Sequence, residues 1–479
     1  MSSSNAGASQ GDKPLAVALF VHGASPELEG GTERTVWDLA FGLACAGHRV
    51  ELVCGSVIWR EGGDRDSVPG PEVPGPGSVT VHRLHRGDAH FEHWHKARSE
   101  PMRARIEALL DELKPDVAHV HHWLRLSRDL IATCARAGVP AVVSLHDHWT
   151  SCLLAHRVRP DEPGTCGRPM GPGACVPCAH RNVQPATPWV EFESEALGLV
   201  EHRQELAREL GLARAWIAPS RSHGQRVEEW TGVAVPGAGL QVVPPPVTRL
   251  PQRRADRNSA AGGSLSVLGL GHLASHKGAH LLSGALARPG AESIRAHWLG
   301  GEVDSDYREA LARAGRVQLH GAFDIERLHE HPALAEVDLF VSGSLADESY
   351  GLVLDEALAL GLPALVPDRG ALAERAPGLG GVTTYRAGSE EALHGALVAL
   401  LENRNRLEAL RGEVPARESL LRPLEEVVEL TVNIYRSAIR SGAPELAPLE
   451  WFEARMTLHR EQQWDAGLAR AASEGEGNA

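Results

Sequence analysis

The sequence predicts an α/β protein made of two doubly wound, parallel-sheet domains in tandem. Three observations predict it. Short apolar runs bounded by glycine or proline alternate with helical patterns. The alternation breaks off at a polar stretch near residue 250 and then restarts. The 479 residues suffice for two large domains or about three of ordinary size. With 43% hydrophobic and 23% charged residues the chain reads as an ordinary globular protein, neither collagen-like, coiled-coil nor disordered. No apolar run approaches the roughly 18 residues of a membrane span. The first dozen residues lack the basic start of a secretory signal, so a cytoplasmic location is expected. A formal charge of -14 argues against nucleic acid as a partner, and leaves room for a local basic patch in peripheral contact with a membrane. Seven cysteines, an odd count, suit a reducing compartment and not a disulfide scaffold.

Residues 1–13 read as a polar, disordered tail. Leu15 to Val21 is a continuous apolar run and reads as a buried parallel strand. Gly30-Gly31 lies in the following loop. Thr35 to Ala46 carries Val36, Leu39, Ala40 and Leu43 on one stripe, a helix that Gly47 stops. Arg49 to Cys54 is the next strand, which completes a βαβ unit. Ser67 to Gly77 reads as a proline/glycine loop, neither helix nor strand. Met102 to Leu113 reads as a helix, and Val117–Val120, Ala141–Leu145 and Ala215–Ala218 as short buried strands. The segment 152–188 has no periodicity, holds four cysteines, and is expected to be an insertion outside the core. Leu250 to Gly263 is the domain boundary. Beyond it Leu265–Leu270, Ile294–Leu299, Val317–Leu319, Val337–Val341 and Ala364–Val366 read as strands, and from Glu390 the pattern is helical.

The densest chemical signal is Asp347-Glu348-Ser349-Tyr350-Gly351-Leu352-Val353-Leu354-Asp355-Glu356. A carboxylate in the loop at a strand's C-terminal end is followed by a helix N-terminus, which favours an anion such as phosphate. A second carboxylate sits on that helix, and both could accept hydrogen bonds from sugar hydroxyls. The plain alternative is two solvated glutamates on an exposed amphipathic helix. Lys277 stands out because only Lys13, Lys96 and Lys114 share its type among 48 basic residues. A compact ammonium at a helix entry could hold a phosphate, although a lone surface lysine is commoner. Gly269-Leu-Gly271-His-Leu-Ala274 matches a dinucleotide fingerprint, but Lys277-Gly278 puts the helix start too late for it, and the first acid past the next strand is Glu302. Gly30 and Gly31 allow close backbone approach to a ligand or merely make a βα turn. His119, His121, His122, His146 and His148 fall at strand C-terminal ends, where an open α/β sheet meets its ligand crevice; most of the 25 histidines are nonetheless structural. Cys152, Cys166, Cys175 and Cys178 have a spacing that suits structural zinc or an iron–sulfur cluster, or are free thiols.

Taken together and in order, these residues resemble the family-4 retaining glycosyltransferases. The resemblance runs from about Ala16 to Tyr435. Gly30-Gly31-x-Glu33 with Gly47-His48-x-Val50 is similar to that family's first βαβ unit. Pro115-Asp116-Val117-Ala118-His119-Val120-His121 and Leu145-His146-Asp147-His148-Trp149 resemble its acceptor-side strands, and Ala218-Pro219-Ser220 with Val242-Val243-Pro244 its approach to the linker. Glu348-x7-Glu356 with Gly361-Leu362-Pro363 and Asp368-Arg369-Gly370 resembles its donor signature. The cysteine-rich insertion resembles one subgroup. The resemblance implies the GT-B fold, two Rossmann-like domains facing a cleft. Residues 14–249 form the acceptor side, 250–448 bind the nucleotide sugar, and a helix within 449–479 crosses back onto the first domain. It implies transfer of a sugar, with retained configuration, from a nucleotide-diphosphate sugar to a hydroxyl of a glycan, lipid-linked or small-molecule acceptor, with no cofactor needed for catalysis. Polysaccharide biosynthesis is one setting. His146, Lys277 and Glu348 are the expected catalytic residues. Gly30, Gly31, His272, Lys277, Glu348, Ser349, Tyr350, Gly351, Leu352 and Glu356 are the expected donor-binding residues. His272 stands where the family usually has arginine, so the phosphate clamp lacks one permanent charge. That departure keeps open a catalytically weak sugar-nucleotide-binding partner. The cysteines keep open a third class, a metal-cluster interaction module.

Overall fold

In a computed structural model the chain is described over residues 13–447, apart from 29, 89, 160–163, 183–191, 238 and 255–262. The tail 1–12, most of the expected boundary 250–263 and the expected crossing segment from 449 lie outside the described residues. Among the described residues are two sheets. The first has strands β1 (Ala16–Val21), β2 (Arg49–Gly55), β3 (Arg65–Pro69), β4 (Ser78–Leu84), β5 (Val117–Val120), β6 (Ala141–Ser144), β7 (Trp216–Ala218) and β8 (Leu240–Val242). Their spatial order is β3-β4-β2-β1-β5-β6-β7-β8, all parallel except β3 against β4. The second sheet has β9 (Leu265–Leu270), β10 (Ile294–Leu299), β11 (Val317–Leu319), β12 (Leu339–Val341), β13 (Ala364–Pro367) and β14 (Val382–Tyr385), parallel in the order β11-β10-β9-β12-β13-β14.

Each sheet is buried on both faces, which is why its strands read as unbroken apolar runs instead of alternating ones. In β1, Ala18 and Phe20 join one core, while Val17, Leu19 and Val21 join another on the opposite face. Val267 and Leu268 of β9 likewise face opposite cores.

Two expectations are corrected. Ser67 to Pro69 is not loop: β3 pairs antiparallel with β4, Val68 opposite Val81. Pro69 fits there because β3 is an edge strand, where one N–H can be spared. The insertion is not devoid of order or core. Pro172–Asn182 forms a helix, and its Val176 and Ala179 pack with Trp94 and Leu199. A helix returns to the first domain before residue 449, whatever the segment beyond it does. Helix Leu424–Ser441 follows the second sheet in sequence but buries Val427, Val428, Val432, Ile434 and Tyr435 against the first domain's core. Those residues recur at three- and four-residue spacing, one apolar stripe, and the helix needs a surface to cover it.

Candidate active site

Both sheets reverse strand order beside a central strand, between β1 and β5 in the first and between β9 and β12 in the second. Crevices open at the carboxyl ends of strands at such points. The two crevices meet in one cavity of about 330 Å³. From the first domain it is lined by Gly31, Thr32, Thr35, His119, His121, Ser144 and His146. From the second come Lys277 and Glu348 to Val353, and Val243 to Pro246 form a wall between them.

Lys277 and Glu348 arrive from loops after β9 and β12. Lys277 Nζ lies 2.8 Å from Glu348 Oε1, which also accepts from Ser344 Oγ at 2.8 Å. Burial would raise the Glu348 pKa, but the charge and hydrogen bond of Lys277, with the Ser344 bond, outweigh it and hold the carboxylate below its ordinary value. Two glycines permit this meeting. Gly278 has φ 74°, and a Cβ there would stand 1.8 Å from the carbonyl oxygen of Gly343. Gly278→Ala is therefore expected to cost about 2–4 kcal/mol of stability through clash and strain. A thermal melt reads the loss; an unchanged melt would contradict the close-approach argument.

Gly351, at φ 81°, caps the Leu352–Ala359 helix, so that its first N–H groups face the cavity beside Lys277. Tyr350 is held by Arg375 stacked over its ring at 4.0 Å and by the Arg422 guanidinium on its hydroxyl at 3.0 Å. Glu356 sits on the second turn, partly buried and outside the cavity's lining. Burial pushes its pKa up to about 7, against the pull of Arg34 on the facing helix.

Across the cavity, helix Gly31–Cys45 starts immediately after Gly30, whose N–H donates to Glu33 Oε2 at 2.9 Å. A Cβ on Gly31 would meet no protein atom, so only an occupant of the cleft would need glycine there. His119 bonds Tyr435 Oη at 2.7 Å and Ser144 Oγ at 2.8 Å, which pins the returning helix under the cavity floor. His146 Nε2 lies 2.8 Å from His121 Nδ1. Burial lowers the His146 pKa to about 4, so the ring is neutral at pH 7. His148 reaches the carbonyl oxygen of Asp347 at 2.9 Å and so joins the first domain to the loop that carries Glu348.

The structure thus brings together His146, Lys277, Glu348, Ser349, Tyr350, Gly351, Leu352 and Gly31 around one cavity, with Gly30 and Glu356 just behind it. His272 is not in the lining: it is exposed on the loop after β9. Among the described residues no group of three or more His, Cys, Asp or Glu side chains is disposed to hold a metal ion. The buried Arg157 guanidinium sits near the cysteines, donating to the carbonyls of Ser151 at 2.7 Å and Cys166 at 2.8 Å. Sequence reasoning missed Ser344, Tyr435 and the part that Pro245 and Pro246 play in the wall. Only the proline run was conspicuous.

Residues 29–249 match the family model for Glycosyltransferase Family 4, and residues 265–403 that for Glycosyl transferases group 1. The chain is a glycosyltransferase. The first matched segment holds β2 to β8 and the second all six strands of the second sheet, and the fold is GT-B. Sucrose-phosphate synthase from Thermosynechococcus elongatus shares the fold at a TM-score of 0.60 and 17% identity, over 89% of this chain and 100% of that one. HepE from Anabaena, in complex with UDP and glucose, does so at 0.54 and 15%, over 88% and 100%. The catalytic domain of Starch Synthase IV from Arabidopsis thaliana, bound to ADP and acarbose, does so at 0.55 and 14%, over 90% and 100%. Among curated proteins none matches the glycosyltransferase significantly. No helix among its described residues is long and apolar enough to cross a membrane.

Proposed function

We propose that the enzyme transfers a sugar, with retention of configuration, from a nucleotide-diphosphate sugar to an acceptor hydroxyl. The observation that carries this reading is the 2.8 Å pair of Lys277 and Glu348 beside the Gly351 helix N-terminus, on one wall of a cavity closed by Gly31 opposite. Lys277 and the helix N–H groups would stabilise the charge that develops on the departing diphosphate. Glu348 accepts from the donor sugar's hydroxyls and Glu356 from the ribose. His146 sits at the sugar. The bond from the anomeric carbon to the phosphate oxygen breaks, a bond to the acceptor oxygen forms on the same face, and the acceptor's proton passes to a phosphate oxygen of the leaving diphosphate. The UDP and ADP held by proteins of similar fold support a nucleotide in this cleft.

The acceptor is a glycan, a lipid-linked sugar or a small molecule, and the first domain's loops select it. The test is nucleotide release across a panel of nucleotide sugars, with the anomeric configuration of the product read by NMR. Turnover with one donor and a retained anomer is expected. An inverted product would refute retention, and failure of every nucleotide sugar to bind would refute the donor site.

A further inference from the structure

The geometry points to His121 as the residue that fixes the tautomer of His146, so that His146 presents an Nδ1–H to the cleft as a hydrogen-bond donor to a ligand oxygen and does not act as a base. The role of the ligand oxygen rests on the transferase reading above; the tautomer does not. His121 follows β5 and His146 follows β6, neighbouring strands whose carboxyl ends lie side by side. Their rings stack with centroids 5.1 Å apart, and His121 Nδ1 meets His146 Nε2 at 2.8 Å. Burial holds both rings neutral at pH 7, so each carries one N–H.

One of the two nitrogens in contact must donate and the other accept. If His146 donated, His121 would have to carry its own proton on Nε2. That nitrogen is sealed from solvent and has no hydrogen-bond partner. The ring of His119, tilted against that of His121 with centroids 3.9 Å apart, offers none, because both its nitrogens are engaged by Tyr435 and Ser144. A buried N–H without an acceptor is among the rarest defects in folded proteins, and an idle lone pair is more easily tolerated. His121 therefore donates from Nδ1, and its bare Nε2 faces the sealed side. His146 accepts at Nε2, and its proton stands on Nδ1, the ring nitrogen left for the cavity that His146 lines. The attacking hydroxyl's proton must then leave by a group other than His146.

Two measurements test this. In protein carrying 15N-histidine, the two-bond proton–nitrogen pattern distinguishes the tautomers, and the His146 signals are those lost in His146→Gln. The Nδ1-protonated pattern is expected, unchanged from about pH 6 to about pH 8; the Nε2-protonated pattern would overturn the inference without reference to any substrate. In the activity arm, His121→Asn keeps an N–H near the place of Nδ1, whereas His121→Asp can only accept. kcat/KM of His121→Asp is expected to fall at least about tenfold below that of His121→Asn, beyond any difference in folded fraction. Equal values for the two folded variants would also overturn it. Should His121→Asp fail to fold, the spectrum of the unaltered enzyme still decides.

Discussion

Lys277→Ala is expected to lower kcat/KM by at least about a hundredfold with the enzyme's own donor. In the proposed mechanism the ammonium stands beside the leaving diphosphate, and that interaction is stronger in the transition state than in the bound substrate. The loss should therefore fall on kcat as well as on KM. The same substitution strands Glu348, whose side chain is only 15% exposed. Breaking such a pair costs about 3–5 kcal/mol when both charges are buried; with Lys277 31% exposed, about 1–3 kcal/mol is expected. The sign with pH follows from linkage. Glu348 in the folded enzyme is held below its ordinary value, so its pair with Lys277 contributes stability above the unfolded carboxylate range. That contribution is lost as pH falls through the folded pKa. The stability deficit of Lys277→Ala should accordingly be larger at about pH 7.5 than at about pH 4.5. Lys277→Ala combined with Glu348→Gln should regain much of the stability and none of the turnover. Recovery of turnover in the double variant would show that Lys277 serves only to neutralise Glu348.

Lys277 and Glu348 were legible in the sequence for physical reasons. Each follows a strand that is buried on both faces, and such strands announce themselves as unbroken apolar runs. A lysine conspicuous by rarity and a glutamate before a glycine-capped helix then fall at strand C-termini, where ligands bind. Contacts that depend on which strands become neighbours were not legible. His121 and His146 are 25 residues apart and meet only because β5 pairs with β6. Tyr435 is 316 residues from His119 and meets it only because helix Leu424–Ser441 returns to the first domain. The apolar stripe of that helix demands a covering surface but does not say which. The approach of Gly278 to Gly343 is a tertiary fact for the same reason, although each glycine is plain to see. β3 was hidden because its proline and its exposed residues follow the rules of an edge strand, not those of the buried ones. The cysteine spacing suggests a structural metal clip, and the fold sets Arg157 beside those residues, bonded to the backbone carbonyls of Ser151 and Cys166, a contact that no spacing announces.

Glu356 should make donor binding depend on pH, and its sign opposes that of Glu348. Burial lifts its folded pKa to about 7 from an ordinary 4.5, Arg34 resisting the rise and Asp355 adding to it. A ribose with two hydroxyls is held best by the ionised carboxylate, which can accept from both. Below about pH 7 the protonated acid must first be ionised, so the apparent donor Kd should rise toward tenfold per pH unit. Donor binding should release a proton on that same side, measurable by calorimetry in buffers of different ionisation heat. Glu356→Gln should bind the donor about tenfold or more weakly and without this pH dependence, as loss of a charged hydrogen bond predicts. A pH-dependent Kd that persists in Glu356→Gln would assign the titration to another group. The free enzyme answers in the other direction. A carboxyl whose folded pKa is raised contributes stability that is complete below about pH 4.5 and lost as pH rises through about 7. Ionised Glu356 thus strains the empty enzyme, and Glu356→Gln should be the more stable protein at about pH 8, by on the order of 2 kcal/mol. Greater stability of the empty variant together with weaker donor binding would mark Glu356 as a group whose buried charge the fold tolerates for the sake of its ligand.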